Sequence, residues 1–196
     1  MSSKPQTLEL EIRELKPDLW PSLENLFGPN GACAGCWCMW WRIEEDERWP
    51  DVKGAPAKRR MKALVQSGKA KGLIAFHRDR PVAWLALGKR TGFPRLDRAP
   101  STACDDAQDV WSLPCFYVKS GYRRMGVAGA LLNRAVALLR ARGAKILEGY
   151  PVSPPPKGQR MQTSSTYTGT VRMFEKLGFK SVTKKHRGKR RVRLEF

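Results

Sequence analysis

Arg123-Arg124-Met125-Gly126-Val127-Ala128 separates an apolar strand pattern from an amphipathic helix pattern. Upstream, residues 109–118 (Asp-Val-Trp-Ser-Leu-Pro-Cys-Phe-Tyr-Val) are rich in β-branched and aromatic side chains, which favour a pleated, half-buried surface. Downstream, Ala128, Leu131, Leu132, Ala135, Val136 and Leu139 recur at three- and four-residue steps, the stripe of a helix with one buried face. A glycine at a strand-to-helix turn lets the backbone come close to a ligand, and the first amides of the helix have no partner within it. Those amides and the positive end of the helix dipole attract anions, and Arg123 and Arg124 add charge. The segment therefore predicts a phosphate or pyrophosphate site.

Composition sets the frame. A chain of 196 residues with 41% apolar content, seven Trp and seven Phe is sized for one folded domain. Such a domain buries roughly 70% of its unfolded surface. No apolar run approaches the roughly 20 residues that cross a bilayer, and Met1-Ser-Ser-Lys-Pro5 lacks a signal-peptide core. A cytoplasmic protein is expected. The net charge of +19 is densest at Lys184-Lys185-His186-Arg187-Gly188-Lys189-Arg190-Arg191. This cluster is either a contact for a phosphate-bearing partner or a solvated hairpin. No helix-turn-helix, zinc-finger or RNA-binding-sheet pattern accompanies it, which leaves nucleic acid a minority reading.

Outward from the central segment, period-two alternation predicts a strand over Thr7–Leu15, and Pro17 opens a helix closed by Gly28-Pro29. A Cys- and Trp-rich irregular stretch over residues 29–55 precedes a helix over Pro56–Gln66. Two apolar runs, Gly72–His77 and Pro81–Leu87, flank Arg78-Asp79-Arg80 as a hairpin. Residues 88–107 read as a long loop, a feature often functional or mobile. A buried strand over Ala144–Tyr150, a Pro/Ser/Thr-rich loop over Val152–Gly169, a helix over Thr170–Leu177 and a closing hairpin (Phe179–Lys185 and Arg190–Phe196), its two strands taken as one unit, complete the order βααβββαβαβ.

Arg-x-x-Gly-x-Ala after a strand ending at Val118 resembles the acyl-CoA signature of the GNAT N-acetyltransferase superfamily, Gln/Arg-x-x-Gly-x-Gly/Ala. Thr170-Val-Arg-Met-Phe-Glu-Lys-Leu-Gly-Phe179 is similar to the family's C-terminal helix, which ends in a Tyr-x-x-x-Gly-Phe-type run. The resemblance implies an α/β (α+β mixed-sheet) acyl-CoA N-acyltransferase fold, six to seven strands with four helices, as a single domain over 1–196. It also implies acetyl-CoA as co-substrate and direct attack by an amine, most simply a small molecule, in a ternary complex. Pantetheine would pair like an extra strand with the backbone at Phe116 and Val118, in a gap where this strand and the next splay apart. Pyrophosphate would rest on Arg124, Gly126, Val127 and Ala128, with Arg123 adding charge.

Two departures touch the chemistry. The place often held by a catalytic Tyr on the last helix is taken by Phe174, and a glutamate used as base in some members falls near Ser112. Tyr167, at a place often held by Asn, is either a replacement hydroxyl or a packed loop aromatic. Glu148, in Leu147-Glu-Gly-Tyr150, is either an outward strand residue or a pocket base with a raised pKa. A water-relayed base would also serve, since proximity supplies much of the rate.

Cys33-Ala-Gly-Cys36-Trp-Cys38 has thiolate spacing, but structural zinc needs four ligands and neither His77 nor His186 is near in sequence. Structural or pocket thiols, zinc, and a reactive pair are the three readings, and no metal is expected. A disulfide framework is not expected in an intracellular chain with five cysteines. Trp37 and Trp40, with Met39 and Trp41, either border the acceptor pocket, holding a flat or cationic amine, or cover the sheet edge as core. The run Cys-x-x-Cys-Trp-Cys-Met-x-Trp resembles a bacterial group of GNAT proteins. Two other functions stay open: a non-catalytic CoA-binding or regulatory module, and an acyltransferase acting on an RNA-linked amine. Oligomeric state, dimer included, is not legible.

Overall fold

Apolar strand runs that face helices on both sides read as unbroken hydrophobic stretches, and the centre of this sheet is built that way. The computed structural model describes residues 8–152, 163–183 and 189–196. The proline run 154–156 and residues 184–188 of the basic cluster, His186 among them, lie outside the described residues. The strands are β1 (Glu11–Glu14), β2 (Lys71–His77), β3 (Arg80–Lys89), β4 (Val110–Val118), β5 (Ile146–Gly149), β6 (Lys180–Ser181) and β7 (Val192–Glu195). The helices are α1 (Trp20–Phe27), α2 (Trp49–Val52), α3 (Ala55–Gln66), α4 (Val127–Ala141) and α5 (Val171–Glu175).

The seven strands form one mixed sheet in the order β1-β2-β3-β4-β5-β7-β6. Only β4 and β5 run parallel, joined by the crossover helix α4; the other neighbours are antiparallel. Along β2, Leu73 and Ala75 point into one core with Leu131, Leu132 and Ala135 of α4. Ile74 and Phe76 point into the other, with Leu23 and Leu26 of α1 and Met61 and Val65 of α3. The architecture is that of the GNAT acyl-CoA N-acyltransferase fold.

Several expected boundaries move. The first strand is four residues, Glu11–Glu14, paired with β2; Leu15 N–H adds one bond to Gly72 O (2.9 Å), and Leu8 and Leu10 pack against the core without joining the ladder. Among the described residues five α-helices stand where four were expected; the addition is the single turn α2, in the stretch read as irregular. The closing strands shrink to Lys180–Ser181 and Val192–Glu195.

Residues 88–107 differ most from the expectation of a plain long loop. β3 continues to Lys89, and short 3-10 turns follow at Arg90–Gly92 and Pro94–Arg98. A buried charge network pins the segment. Arg90 is fully buried, and its guanidinium donates to Tyr150 Oη (2.9 Å), Thr102 O (2.7 Å), Glu148 Oε1 (3.3 Å) and Asp97. Glu148, also fully buried, takes a further bond from Tyr150 Oη (2.8 Å) on Oε1. Its Oε2 accepts from Arg193 Nε (2.6 Å) and faces Arg191 Nε at 3.4 Å. Arg193 in turn grips Asp106 through both terminal nitrogens, each at 2.6 Å. Tyr150 Oη also meets Ser112 Oγ at 2.6 Å, which closes the network onto β4.

Removing one member of a buried pair leaves an uncompensated charge, typically worth about 3–5 kcal/mol. Glu148→Ala should therefore lower unfolding stability by about that amount, measured by chemical denaturation. The Arg193 guanidinium beside Asp106 holds its carboxyl down, to about 2. A depressed carboxyl stabilises the fold above its unfolded pKa, and that stabilisation is lost as pH falls through the folded value. Melting curves of the parent and Asp106→Asn should differ near neutral pH, with the parent more stable, and converge between about pH 4 and 2.

Candidate functional site

β4 and β5 pair over four positions only, Val110–Leu113 against Ile146–Gly149. Past Leu113 the strands part at Pro114, a residue with no N–H to offer a neighbour. On the other edge, Lys119 N–H donates to Val82 O (2.9 Å). Backbone groups alternate sides along a strand, so those of Phe116 and Val118 face the gap. In this structure Arg123 Nε donates to Val118 O at 3.0 Å.

The following turn is shaped for an anion. Arg124 (φ 63°) and Gly126 (φ 81°) are both left-handed, and Gly126 is the N-cap of α4. Left-handed backbone at a non-glycine residue is strained by roughly 1–2 kcal/mol and turns successive amides inward as an anion nest. The first bond across the helix start is Ala130 N–H to Gly126 O (3.0 Å), which leaves the amides of Val127, Ala128 and Gly129 free of intrahelical acceptors. No carboxylate opposes an anion there, since the first turn of α4 carries none.

One cavity of about 1740 Å³ joins this turn, the unpaired edge of β4, α5 and the Cys/Trp-rich segment. Phe116, Val118, Arg123, Arg124, Gly126, Val127, Ala128, Tyr167 and Trp40 all line it. Tyr167 packs against Trp41 (6.3 Å between centroids) and also lines the cavity. Burial raises its hydroxyl above the ordinary phenol range, which keeps the proton on the oxygen.

Glu148 and Trp37 are placed otherwise. Glu148 points inward, but into the guanidinium groups of Arg90, Arg193 and Arg191, and it does not line the cavity. Its oxygens already accept from Arg90, Arg193 and Tyr150. Trp37 is buried against Trp20 (6.0 Å) and Phe27 (5.7 Å) as core, away from the cavity wall. Phe174 is sealed beneath β5, where a Cβ on Gly149 would lie 2.3 Å from its ring; Ser112 is fully buried.

The segment from Gly31 to Cys38 forms the opposite wall. Ala32, Ala34, Trp37 and Cys38 all adopt positive φ, held by backbone bonds such as Ala32 N to Phe27 O (2.8 Å) and Trp37 N to Gly31 O (3.0 Å). This strain brings Cys33, Cys36 and Cys38 to the cavity, where Cys115 of β4 joins them. Trp84 Nε1–H donates to Cys38 Sγ at 3.3 Å. The adjacent Cys115 thiol, as hydrogen-bond donor, pulls Cys38 below the ordinary thiol range while Cys115 itself is pushed well above it. Burial pushes Cys36 up to about 11. All five cysteines are free thiols. Among the described residues, no group of three His, Cys, Asp or Glu side chains is placed to hold a metal ion.

Sequence reasoning did not single out Arg172 and Lys176, which face the cavity from the last helix and its C-cap. Their four-residue spacing was the available signal. Cys115 was visible only as an isolated thiol, because its proximity to Cys38 depends on the sheet.

The profile of the acetyltransferase (GNAT) family matches residues 35–153, more than half of the chain. No relative was found among curated protein sequences. Among solved structures, the GNAT domain of PAT from S. lividans aligns at a TM-score of 0.56 and 16% identity, covering 94% of this chain and 89% of that one. A GCN5-related N-acetyltransferase from Kribbella flavida aligns at 0.55 and 16%, covering 98% and 100%. An N-acetyltransferase from Staphylococcus aureus Mu50 aligns at 0.53 and 13%, covering 95% and 98%. At these identities the structural likeness speaks for the fold, while the profile match speaks for descent: the chain belongs to the GNAT family of acetyltransferases, whose co-substrate is acetyl-CoA.

Proposed function

We propose that this chain works as one acetyltransferase domain over residues 1–196, moving the acetyl group of acetyl-CoA to the primary amine of a small molecule by direct attack in a ternary complex. The observation that carries this reading is the single cavity connecting the anion nest at Arg123–Ala128, the unpaired β4 edge and an aromatic end beside Tyr167. The nest and the amides of α4 take the pyrophosphate, with Arg123 and Arg124 as counter-charges. Phe116 and Val118 offer backbone groups to pantetheine, and Arg123 leaves or shares Val118 O. The thioester then lies between Cys115 on β4 and Tyr167, with Trp40 bordering the amine.

The chemistry asks little of the protein. A neutral amine attacks the thioester carbonyl, one proton leaves nitrogen, and the departing CoA sulfur takes one up. Tyr167 suits the second step because its hydroxyl stays protonated; water suits the first, since no carboxylate among the described residues lines the cavity. Glu148 acts from behind as a positioning residue, fixing Tyr150 and β5 rather than touching substrate. Five free thiols accord with a reducing cytoplasm, and the Cys-x-x-Cys-Trp-Cys-Met run marks a bacterial subgroup in this reading. The sealed Phe174 and Ser112 favour the second reading, a non-catalytic CoA-binding module, and turnover decides between the two.

Acetyl-CoA at a hundred times its Kd should stabilise the fold by about 2.7 kcal/mol, or roughly 5–10 °C in Tm. Gly126→Glu should abolish that shift. Gly126→Ala, which carries the same backbone strain without the charge, should keep most of it. Absence of any shift in the folded parent refutes the acetyl-CoA site. Tyr167→Phe should keep the shift but lower kcat by about 100-fold or more in a thiol-release assay; unchanged kcat removes Tyr167 from the proton path.

A further inference from the structure

The acceptor end of the cavity is short of one kind of residue. Among the described residues that line the cavity as a whole there is no Asp and no Glu; Arg123 and Arg124 at its pyrophosphate end, and Arg172 and Lys176 on the last helix, are its lining cations. Two more cations stand against its aromatic wall. The Arg95 guanidinium carbon lies 3.7 Å from the centroid of the Trp40 ring. Lys189 Nζ lies 4.7 Å from the Tyr167 ring and 5.5 Å from the Trp41 ring.

Arg42 is another partly buried cation without a carboxylate among the described residues, but it is held by Gly92 O and the Phe93 ring away from this wall. The buried arginines behind β5 are paired. Arg90, Arg193 and Arg191 each face a carboxylate. Arg95 and Lys189 are half-buried, and burial lowers the pKa of both. Among the described residues neither makes an ion pair with a carboxylate. Holding a cation partly out of water without a counter-charge is unfavourable, and an arriving anion relieves it. Each ring also already carries a cation against it, so a cationic acceptor would meet repulsion where cation–π attraction would otherwise hold it. A net charge of +19 acts in the same sense at long range, drawing anions and repelling polycations.

We propose that the acceptor amine carries a fixed anionic group, a carboxylate or a phosphate-type group, on a flat apolar body. The body seats against Trp40, Trp41 and Tyr167, and the anion is held by Arg95 and Lys189. This rests on the acetyltransferase reading. It departs from the sequence-based expectation of a flat or cationic acceptor in one respect, since it keeps the flat body and reverses the charge. Polyamines and other polycations are predicted to be poor acceptors.

The test uses matched amines with acetyl-CoA: phenylalanine, its decarboxylated partner phenethylamine, its aminophosphonate analogue, and spermidine. Acetylation is followed by thiol release, and binding by quenching of tryptophan fluorescence in the presence of CoA. The acid-bearing amines should exceed phenethylamine by about tenfold or more in kcat/KM and in affinity, and spermidine should be weakest. A lead for the phosphonate over phenylalanine assigns the anion site to phosphate; the reverse assigns it to carboxylate. Arg95→Gln and Lys189→Gln should each raise KM for the acid-bearing amine with kcat and the acetyl-CoA thermal shift kept, and the double variant should erase the preference. Phenethylamine or spermidine equal to or better than the acids, in turnover and in binding, overturns the proposal, as does a preference that survives the double variant. In those cases an intact acetyl-CoA shift shows that only this inference has failed; loss of the shift in the parent removes the underlying reading with it.

Discussion

β4 and β5 cannot remain paired past Leu113 and Gly149, and the site follows from that divergence. A parallel strand pair needs a long crossover, so α4 must start where β4 ends and lie over the sheet. Its first turn thereby delivers free amides to the mouth of the gap. Backbone groups on the freed edge of β4 cannot stay unpaired without cost, and they pair with water or with a ligand that presents donors and acceptors in strand-like spacing. Pro114 stands at the point of separation, where one donor fewer is an advantage. The two sides of the gap are then closed by α5 and by the strained Cys/Trp segment, which makes one cavity out of elements distant in sequence.

Charge is sorted within this frame. The protein has 18 acidic residues against 37 Lys and Arg, and its buried acid is spent on structure. Glu148 gathers Arg90, Arg191 and Arg193 behind β5, which pins residues 90–106 to the sheet and keeps the acid away from the cavity. The cavity is left with cations, thiols and aromatics. Such a lining favours anionic ligands, the phosphates of acetyl-CoA among them.

The fold was legible where local rules suffice. The 3.6-residue stripe of α4, the glycine before it and the continuous apolar runs of β2 and β3 each follow from periodicity and burial, and the residues that the family resemblance named for the co-substrate all line the cavity. Long-range effects were not legible. Nothing local distinguishes Glu148 as a pocket base from Glu148 as the hub of an arginine network, because the partners lie 45 and 58 residues away. Trp37 and Trp40 look alike in sequence; the left-handed backbone at Trp37 and Cys38 sends one into the core and leaves the other at the cavity. Residues 88–107 lacked periodicity, yet one buried arginine fixes them, an effect composition cannot reveal.

Amide hydrogen exchange with and without coenzyme A examines the gap itself. If pantetheine pairs with β4 and pyrophosphate rests on α4, exchange should slow at Phe116 and Val118 and at Val127, Ala128 and Gly129, with little change on β1 and β2. Binding that leaves these five amides unprotected, or protects only the basic surface near Arg190, would contradict the assignment of this cavity to the co-substrate.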